Sequence, residues 1–223
     1  LRLALKWGID REAIIKQVYA GYAIPGNDHT LDPLNPYYNS TMPQRKYDPE
    51  KAAFHYKKSG HSGSILFRTS DVAFPGAIDA AQLYQQSAAK AGITIEIKRE
   101  PGDGYWSEVW NKQPFSASYW GGRPTQDQMY STAYYSKADW NDTRFFNEKF
   151  DKMLFEARGE LDHDKRKKLY ADMGQIVRDE GGVIAPMFND FIDATGPKVG
   201  GWYEDGNQEL MGGYALSKCW LTA

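Results

Sequence analysis

With 223 residues, the chain is long enough to bury one substantial hydrophobic core, and its 41% hydrophobic and 25% charged content is typical of a globular protein. The 27 basic and 29 acidic residues leave a formal charge of -2, so the composition gives no electrostatic reason to expect DNA, RNA or an anionic membrane surface as a partner. No apolar run approaches the roughly 20 residues that a membrane-spanning helix needs.

The beginning of the sequence resembles the interior of a protein. The chain opens at Leu1 in an apolar, helix-like segment, with no capping residue ahead of it. We therefore expect a fragment whose N-terminal part, with any targeting signal, is missing. Asp10 predicts the first clear helix start, because its carboxylate can accept free backbone N–H groups, and Gly21 predicts the end of that helix.

A long loop and a short helix follow. Residues 21–47 are rich in proline, asparagine, aspartate and tyrosine, which is typical of an ordered loop. A loop of this length usually has a functional or packing role. Asp48 and Pro49 then provide a cap and a first-turn proline for a helix that Gly60 ends.

Residues 65–120 alternate between strand and helix patterns. Short apolar strands are predicted at 65–67, 93–97 and 115–120, with a helix at 77–92 and a shorter one at 105–109. Strands that are joined by helices through short links pair in parallel, with right-handed crossovers. The pattern predicts an α/β fold.

The remainder of the chain predicts two amphipathic helices and a tail. Apolar stripes at helical spacing occur within 150–157 and within 169–177, and the second helix is expected to begin at Asp162 or Asp164 and to end at 181–182. Short strands are predicted at 183–185 and 191–192. From Gly200 onward the sequence is glycine-rich and has no clear period, so we expect it to pack on the missing part of the protein.

The most informative candidate site follows the third predicted strand. In open α/β sheets ligands bind beyond the carboxyl ends of the strands, where this chain has Trp120, Gly121, Gly122 and Arg123. The glycines allow a close backbone approach, the indole offers a flat apolar face, and the guanidinium offers a planar fork of donors. The same residues also fit a tight turn with a core tryptophan and a solvated arginine, and position alone does not choose between the two interpretations.

Catalytic and metal-binding interpretations have less support. Cys219 is the single cysteine and lies in an irregular tail without a nearby histidine, so an inert position is favoured over a nucleophile. The four histidines show no paired metal-ligand spacing, and neither a metal nor a cofactor is predicted. Asn27, Asp28 and His29 are candidates for a ligand contact or a hydrogen-bond relay, although a polar loop that caps itself is the commoner arrangement.

Four segments resemble one known family, the family 5 extracytoplasmic solute-binding proteins of ABC importers, which include dipeptide-, oligopeptide- and nickel-binding proteins. They are LKWGIDREAI at 5–14, YDPEKA at 47–52, the passage from QL at 82–83 to AGI at 91–93, and the pattern from Asn147 to Tyr170. Each segment alone is weak. Their shared order and spacing over more than half of the chain identify the resemblance.

The resemblance implies one lobe of a two-lobe periplasmic-binding-protein type II fold, with a mixed sheet flanked by helices. Residues 1–199 would form the C-terminal lobe, and residues 200–223 a tail that packs on the missing N-terminal lobe. In the family's peptide binders a tryptophan is followed within a few residues by an aspartate that pairs with the peptide's amino group. Trp120 occupies the tryptophan position, but Arg123 occupies the aspartate position, and this departure points away from a plain dipeptide ligand.

The resulting hypothesis is a non-enzymatic, extracytoplasmic protein that captures a peptide-like or anionic small solute and delivers it to ABC permease subunits in the membrane. The alternatives are a metabolic enzyme domain, in which Asp28, His29 or Cys219 would do chemistry, and a peptide-sensing receptor on the same fold. The residues predicted to contact the solute are Trp120, Gly121, Gly122, Arg123, Asn27, Asp28 and His29.

Overall fold

The computed structural model describes residues 1–205 and 209–222; residues 206–208 and 223 of the predicted tail lie outside the described residues. The chain divides into two compact units, Leu1–Phe188 and Asn189–Ala223. The sequence-based division was placed later, between residues 199 and 200, and the packing of the tail on another lobe stays a prediction.

The first unit contains most of the regular structure. Its helices are α1 (Arg2–Gly8), α2 (Arg11–Val18), α3 (Pro49–Ser59), α4 (Ala77–Ala89), α5 (Gln126–Ala133), α6 (Glu148–Gly159) and α7 (His163–Glu180), with a π-helical turn at Tyr105–Val109. Its strands are β1 (Ala23–Pro25), β2 (Ile65–Thr69) and β3 (Ile95–Arg99), and β4 (Met187–Asn189) lies where the unit ends. The second unit contains β5 (Val199–Gly200), α8 (Glu209–Gly212), α9 (Ala215–Lys218) and β6 (Trp220–Leu221). Among the described residues, none of the helices combines the length and the apolar content required to cross a membrane.

Three helices begin where the aspartates predicted. Each carboxylate accepts the backbone N–H three residues ahead, at 3.0 Å for Asp10, 2.9 Å for Asp48 and 3.0 Å for Asp162. These bonds satisfy N–H groups that have no partner inside the helix. Gly60 ends α3 in the left-handed conformation, with φ of 68°, as its position after the last helical residue predicted.

The parallel pairing is confirmed for the first two predicted strands. β2 and β3 pair in parallel from Ile65 opposite Ile95 to Thr69 opposite Arg99. The third predicted strand, 115–120, is wrong in extent, because only Ser116 forms a parallel bridge, with Arg68. The pairing stops there because the next carbonyl, of Ala117, accepts a hydrogen bond from the Tyr105 hydroxyl at 2.7 Å.

The two later strand predictions are also wrong. Residues 183–185 are irregular, since the N–H of Ala185 donates to Asp28 Oδ1 at 3.2 Å and its carbonyl accepts from Arg11 Nε at 3.3 Å. Buried charged side chains therefore take the backbone bonds that a neighbouring strand would have made. Phe191 and Ile192 lie outside any strand and are exposed, so their apolar character reflects no buried sheet position.

The hydrophobic core of the first unit has two main parts. One lies between α1, α2, α4 and β3 and includes Leu5, Ile14 and Ile93. The other lies among α5, α6 and α7 and includes Tyr130 and Phe150, so the two predicted apolar stripes are confirmed as buried faces. A smaller cluster around Tyr105 joins the π-helical turn to Ala117 and thereby positions the segment that follows the Ser116 bridge.

Candidate functional site

The segment after the Ser116 bridge contains the predicted run Trp120, Gly121, Gly122 and Arg123. It leaves the bridge to β2 in the direction in which the parallel strands end and reaches α5 at residue 126. This is the edge at which ligands bind in open α/β sheets. Gly122 is exposed and the other three residues are partly buried, so the run lies at the surface of the first unit.

Trp120 belongs to a cluster of five aromatic side chains, which we call the aromatic wall: Trp106, Trp110, Tyr119, Trp120 and Trp140. Neighbouring ring centroids lie 5.5 to 6.5 Å apart, at interplanar angles from 57° to 85°. These are the tilted and edge-to-face contacts that aromatic pairs prefer. The side chains of Trp106, Trp140 and Tyr119 are 39%, 50% and 62% exposed, so the aromatic wall presents a large aromatic surface.

Asp142 holds two rings of the aromatic wall. Its Oδ2 accepts the indole N–H of Trp110 at 2.8 Å and that of Trp120 at 3.3 Å. Burial raises the pKa of the Asp142 carboxyl, while the two indole N–H groups act in the opposite direction by stabilising the carboxylate. One carboxylate oxygen therefore joins the π-helical turn to the segment after the Ser116 bridge and orients both indoles.

We expect Asp142→Ala to lower the free energy of unfolding by about 1–3 kcal/mol, because two partly buried indole N–H groups would lose their acceptor. Asp142→Asn keeps one side-chain oxygen and should retain most of that stability. Urea denaturation followed by tryptophan fluorescence measures both variants, since the affected rings are the reporters. If the asparagine variant is as unstable as the alanine variant, Asp142 does not stabilise the fold by accepting hydrogen bonds from the indoles.

Arg123 lies against the same wall. Its guanidinium carbon is 5.8 Å from the centroid of Trp120, and its Nη1 donates to the carbonyls of Gly121 at 2.9 Å and Gly122 at 3.2 Å. Among the described residues no hydrogen bond uses its Nε or Nη2. Arg123 thus closes the turn with one nitrogen and keeps donors for a further acceptor.

The two glycines are not required by the packing of the described residues. A Cβ on Gly122 would meet nothing within 4 Å, and one on Gly121 would meet only Arg123 Nη1, at 3.6 Å. Neither glycine has the positive φ at which side chains are strained. The room that they leave in front of the backbone is therefore open surface.

Two of the other predicted contacts, Asn27 and Asp28, lie in a separate, buried hydrogen-bond network, and the third, His29, is buried next to them in the chain. Asp28 Oδ1 accepts from Arg11 Nη2 at 2.6 Å, and Oδ2 accepts from Arg45 Nη1. Asp28 has a left-handed backbone, with φ of 60°, which aspartate tolerates better than most residues. Among the described residues, no hydrogen bond or ion pair joins this network to the aromatic wall.

The network links three distant parts of the chain and carries excess positive charge. Its four cations and two carboxylates are Lys6, Arg11, Arg45, Arg178, Asp28 and Asp179. Lys6 is fully buried, and within the described ranges its Nζ donates to one acceptor, the carbonyl of Arg178, at 2.7 Å. Burial lowers the pKa of Lys6 to about 8, although the charge of Asp28 partly opposes this effect.

Lys6 predicts an unusual dependence of stability on pH. Its pKa is about 8 in the folded protein and 10.5 when exposed, so between these values the folded state binds fewer protons and gains stability as the pH rises. Between pH 7.5 and 10.5, wild type should gain about 3 kcal/mol relative to Lys6→Met. Urea denaturation at several pH values measures the difference. Lys167→Met, which replaces an exposed lysine, is the control, and its stability difference from wild type should not change with pH. The prediction is contradicted if the difference between wild type and Lys6→Met is equally independent of pH.

His29 and Cys219, which were considered for catalysis, lie in different parts of the chain and have different surroundings. His29 is buried, its Nδ1 accepts the N–H of Leu31 at 3.3 Å, and burial lowers its pKa to about 4. Cys219 lies 3.4 Å from the sulfur of Met211 in the second unit. Within the described part of the chain, no three side chains of histidine, cysteine, aspartate or glutamate are grouped so that they could hold a metal ion.

Comparison with known proteins identifies the family. Residues 1–142 match the model for the bacterial extracellular solute-binding proteins, family 5, middle region. The chain belongs to this family. The matched residues include all of the aromatic wall and end at Asp142, the residue that holds it.

Known relatives resemble the chain over most of its length. It is 24% identical to the dipeptide-binding protein of Escherichia coli (strain K12) over 219 residues, covering 92% of this chain and 40% of the relative. It is 27% identical to heme-binding protein A of Haemophilus influenzae, covering 92% of this chain and 39% of the relative. The chain thus spans about 40% of the length of these two family members.

Solved structures of binding proteins share the fold. The periplasmic binding protein DppA from Helicobacter pylori, in complex with the peptide STSA, matches with a TM-score of 0.78 at 21% identity, over 99% of this chain and 43% of DppA. NikA from Staphylococcus aureus, in complex with Ni(L-His)2, matches with a TM-score of 0.72 at 24% identity, over 92% of this chain and 45% of NikA. All four of these proteins are named as binding proteins or described in complex with a ligand, and none is named as an enzyme.

Sequence reasoning missed most of the aromatic wall and the residue that holds it. Trp106 was recognised only as a helix residue, and Trp110, Trp140 and Asp142 were not recognised at all. One signal was present, because four of the seven tryptophans lie between residues 106 and 140. The buried cations of the Asp28 network gave no such signal, since their charge and spacing resemble those of solvated residues.

Proposed function

We propose that this chain is part of the extracytoplasmic solute-binding component of an ABC importer. It would supply one α/β lobe and half of a cleft in which a peptide-like or anionic small solute is enclosed and carried to the permease subunits in the membrane. Membership of the solute-binding family supports this role. The observation that carries it on this chain is the exposed aromatic wall with the free donors of Arg123 at its edge.

The chemistry of this surface suits capture without reaction. Binding sites for small molecules are mostly apolar, with a few placed polar groups that fix the orientation of the ligand. The aromatic wall would provide the apolar contact, and the guanidinium of Arg123 would pair with a carboxylate or phosphate. A cation here would repel the free amino group that an aspartate at this position would attract, so the proposed solute is anionic.

The Asp28 network would stabilise the fold around the site and would not contact the solute. Asn27 and Asp28 bond to other members of the network and to the backbone, and Asn27, Asp28 and His29 are all buried. We therefore leave these three residues out of the proposed solute surface and assign them to the scaffold that holds the loop 21–47 in place.

The second unit would complete the protein by packing on the N-terminal lobe. It contains Leu216, Leu221 and Ile192, which are strongly exposed, and Trp220, which is more than half exposed. Exposed apolar groups of this density mark surfaces that another part of a protein covers. Residues 200–223 would thus form the tail that crosses to the other lobe.

Native mass spectrometry of the full-length protein, purified without refolding, tests the role. The expected result is a bound small molecule that is released on denaturation. Separately, we expect genes for a permease and an ATPase beside the gene of this protein. Chemical conversion of the ligand that is lost in Cys219→Ser or His29→Ala would instead support the alternative of an enzyme.

A further inference from the structure

The aromatic wall is more specific than a generic apolar surface. Asp142 accepts the indole N–H groups of both Trp110 and Trp120, so these two rings have no N–H left for a solute. These two rings can therefore contact a solute only through the carbon atoms of their faces and edges. The exposed rings of Trp106, Trp140 and Tyr119 extend the same surface.

The angles between the rings determine which kind of chemical group binds best to this surface. Aromatic faces carry partial negative charge and aromatic edges partial positive charge. Trp110 meets Trp140 at 84° and Trp106 meets Tyr119 at 85°, so faces and edges alternate along the wall. Another aromatic ring can match both by tilting or stacking, whereas an aliphatic group gains only from area burial.

Arg123 places one charge beside this surface. Its guanidinium carbon is 5.8 Å from the Trp120 ring centroid, which is about the distance between neighbouring rings in the wall. A ring that contacts the wall would therefore have its anionic substituent within reach of the free donors of Arg123.

We infer that the solute of this protein carries an aromatic ring close to an anionic group, with the ring on the aromatic wall and the anion on Arg123. This inference rests on the proposed solute-binding function and specifies its substrate class. A ring in contact with two wall residues gains from each aromatic pair beyond area burial. An aromatic solute should therefore bind roughly tenfold tighter than an aliphatic one of similar size.

The test uses matched probes on the full-length protein. The probes are N-acetyl-Gly-Phe and N-acetyl-Gly-Leu, together with the corresponding N-acetylated tripeptides, all of which carry a carboxylate and no free amine. Isothermal titration calorimetry should show about tenfold tighter binding of each phenylalanine probe. Trp140→Leu keeps an apolar side chain and leaves in place the backbone hydrogen bond from the N–H of Asp142 to the carbonyl of residue 140. It should reduce the preference to about threefold or less.

Two controls separate the parts of the inference. Phe155→Leu removes an aromatic side chain that is 50% exposed, as Trp140 is, but lies outside the wall, and the preference should not change. Arg123→Ala should weaken both probes of a pair by the same factor. Equal binding of the paired probes, or an unchanged preference in Trp140→Leu, would overturn the aromatic substrate class while leaving a solute-binding role intact.

A failure of all four probes to bind would also overturn this substrate class. The proposed function would then be judged separately, by whether native mass spectrometry finds any other co-purified solute. Tighter binding of an uncharged saccharide than of either probe would contradict the inference as well, because a sugar would use the wall without an anion on Arg123.

Discussion

Replacing Asp28 with asparagine should lower the free energy of unfolding by about 3–5 kcal/mol, the usual effect of removing one partner from a buried ion pair. The carboxylate is fully buried and bonds to Arg11 and Arg45, which are themselves buried. Without the charge of Asp28, Arg11 would lose its carboxylate partner, and Arg45 would keep only the partly exposed Asp179. Asparagine has almost the same shape and also tolerates the left-handed backbone, so the variant removes the charge and one acceptor oxygen without creating a cavity.

The control for this variant is Asp71→Asn, which makes the same chemical change in a pair with Arg99 that is exposed on both sides. Exposed pairs contribute little, so that variant should lose less than about 1 kcal/mol. Urea denaturation of both variants with equal denaturant slopes gives the comparison. Losses of similar size in the two variants would show that burial of Asp28 does not strengthen its ion pairs.

Replacing Arg123 with alanine should weaken solute binding by roughly 30-fold or more. Loss of one side of a desolvated charged contact typically costs about 2–5 kcal/mol, and the cleft of the full-length protein would desolvate the free donors of Arg123. Arg123→Asp should weaken an anionic solute further and begin to admit cationic amines or peptides. Calorimetry with the co-purified solute on the full-length protein measures both changes.

Arg99→Ala is the matched control, because it removes an exposed arginine from β3 without altering the aromatic wall. It should leave the affinity within about twofold. If Arg123→Ala also binds the solute unchanged, or if the co-purified solute has no acidic group, the role of Arg123 is limited to the two hydrogen bonds that close its turn.

The sequence predicted local structure well wherever the signal was itself local. Asp10, Asp48 and Asp162 cap the helices that follow them, since a capping carboxylate bonds only three residues ahead. The spacing of apolar residues likewise predicted the buried faces of α6 and α7, and the apolar runs at 65–67 and 93–97 predicted the parallel pair β2 and β3. The family resemblance, read from four ordered segments, agrees with the family match over residues 1–142.

Errors occurred where a distant side chain took over a backbone bond. Residues 115–120 are apolar enough for a strand, but the Tyr105 hydroxyl bonds to the Ala117 carbonyl and ends the pairing. At 183–185, Asp28 and Arg11 bond to the backbone of Ala185 in the same way. A pattern of residue types along the chain contains no information about such partners, because they come from segments 12 to 174 residues away.

By itself, then, the sequence determined the capped starts of three helices, the parallel pair, the family resemblance and the run from Trp120 to Arg123, because each depends on neighbours in the chain or on residues kept in order. It did not predict α5, and it placed the end of α2 at Gly21, whereas α2 ends at Val18. Only the tertiary structure decided that Asp28 belongs to a buried ion-pair network and that Asp142 gathers distant tryptophans into one wall. A charged or aromatic side chain looks the same in a sequence whether it faces water, a solute or another side chain. Burial and the geometry of its partners give it a role, and both arise only when distant segments pack together.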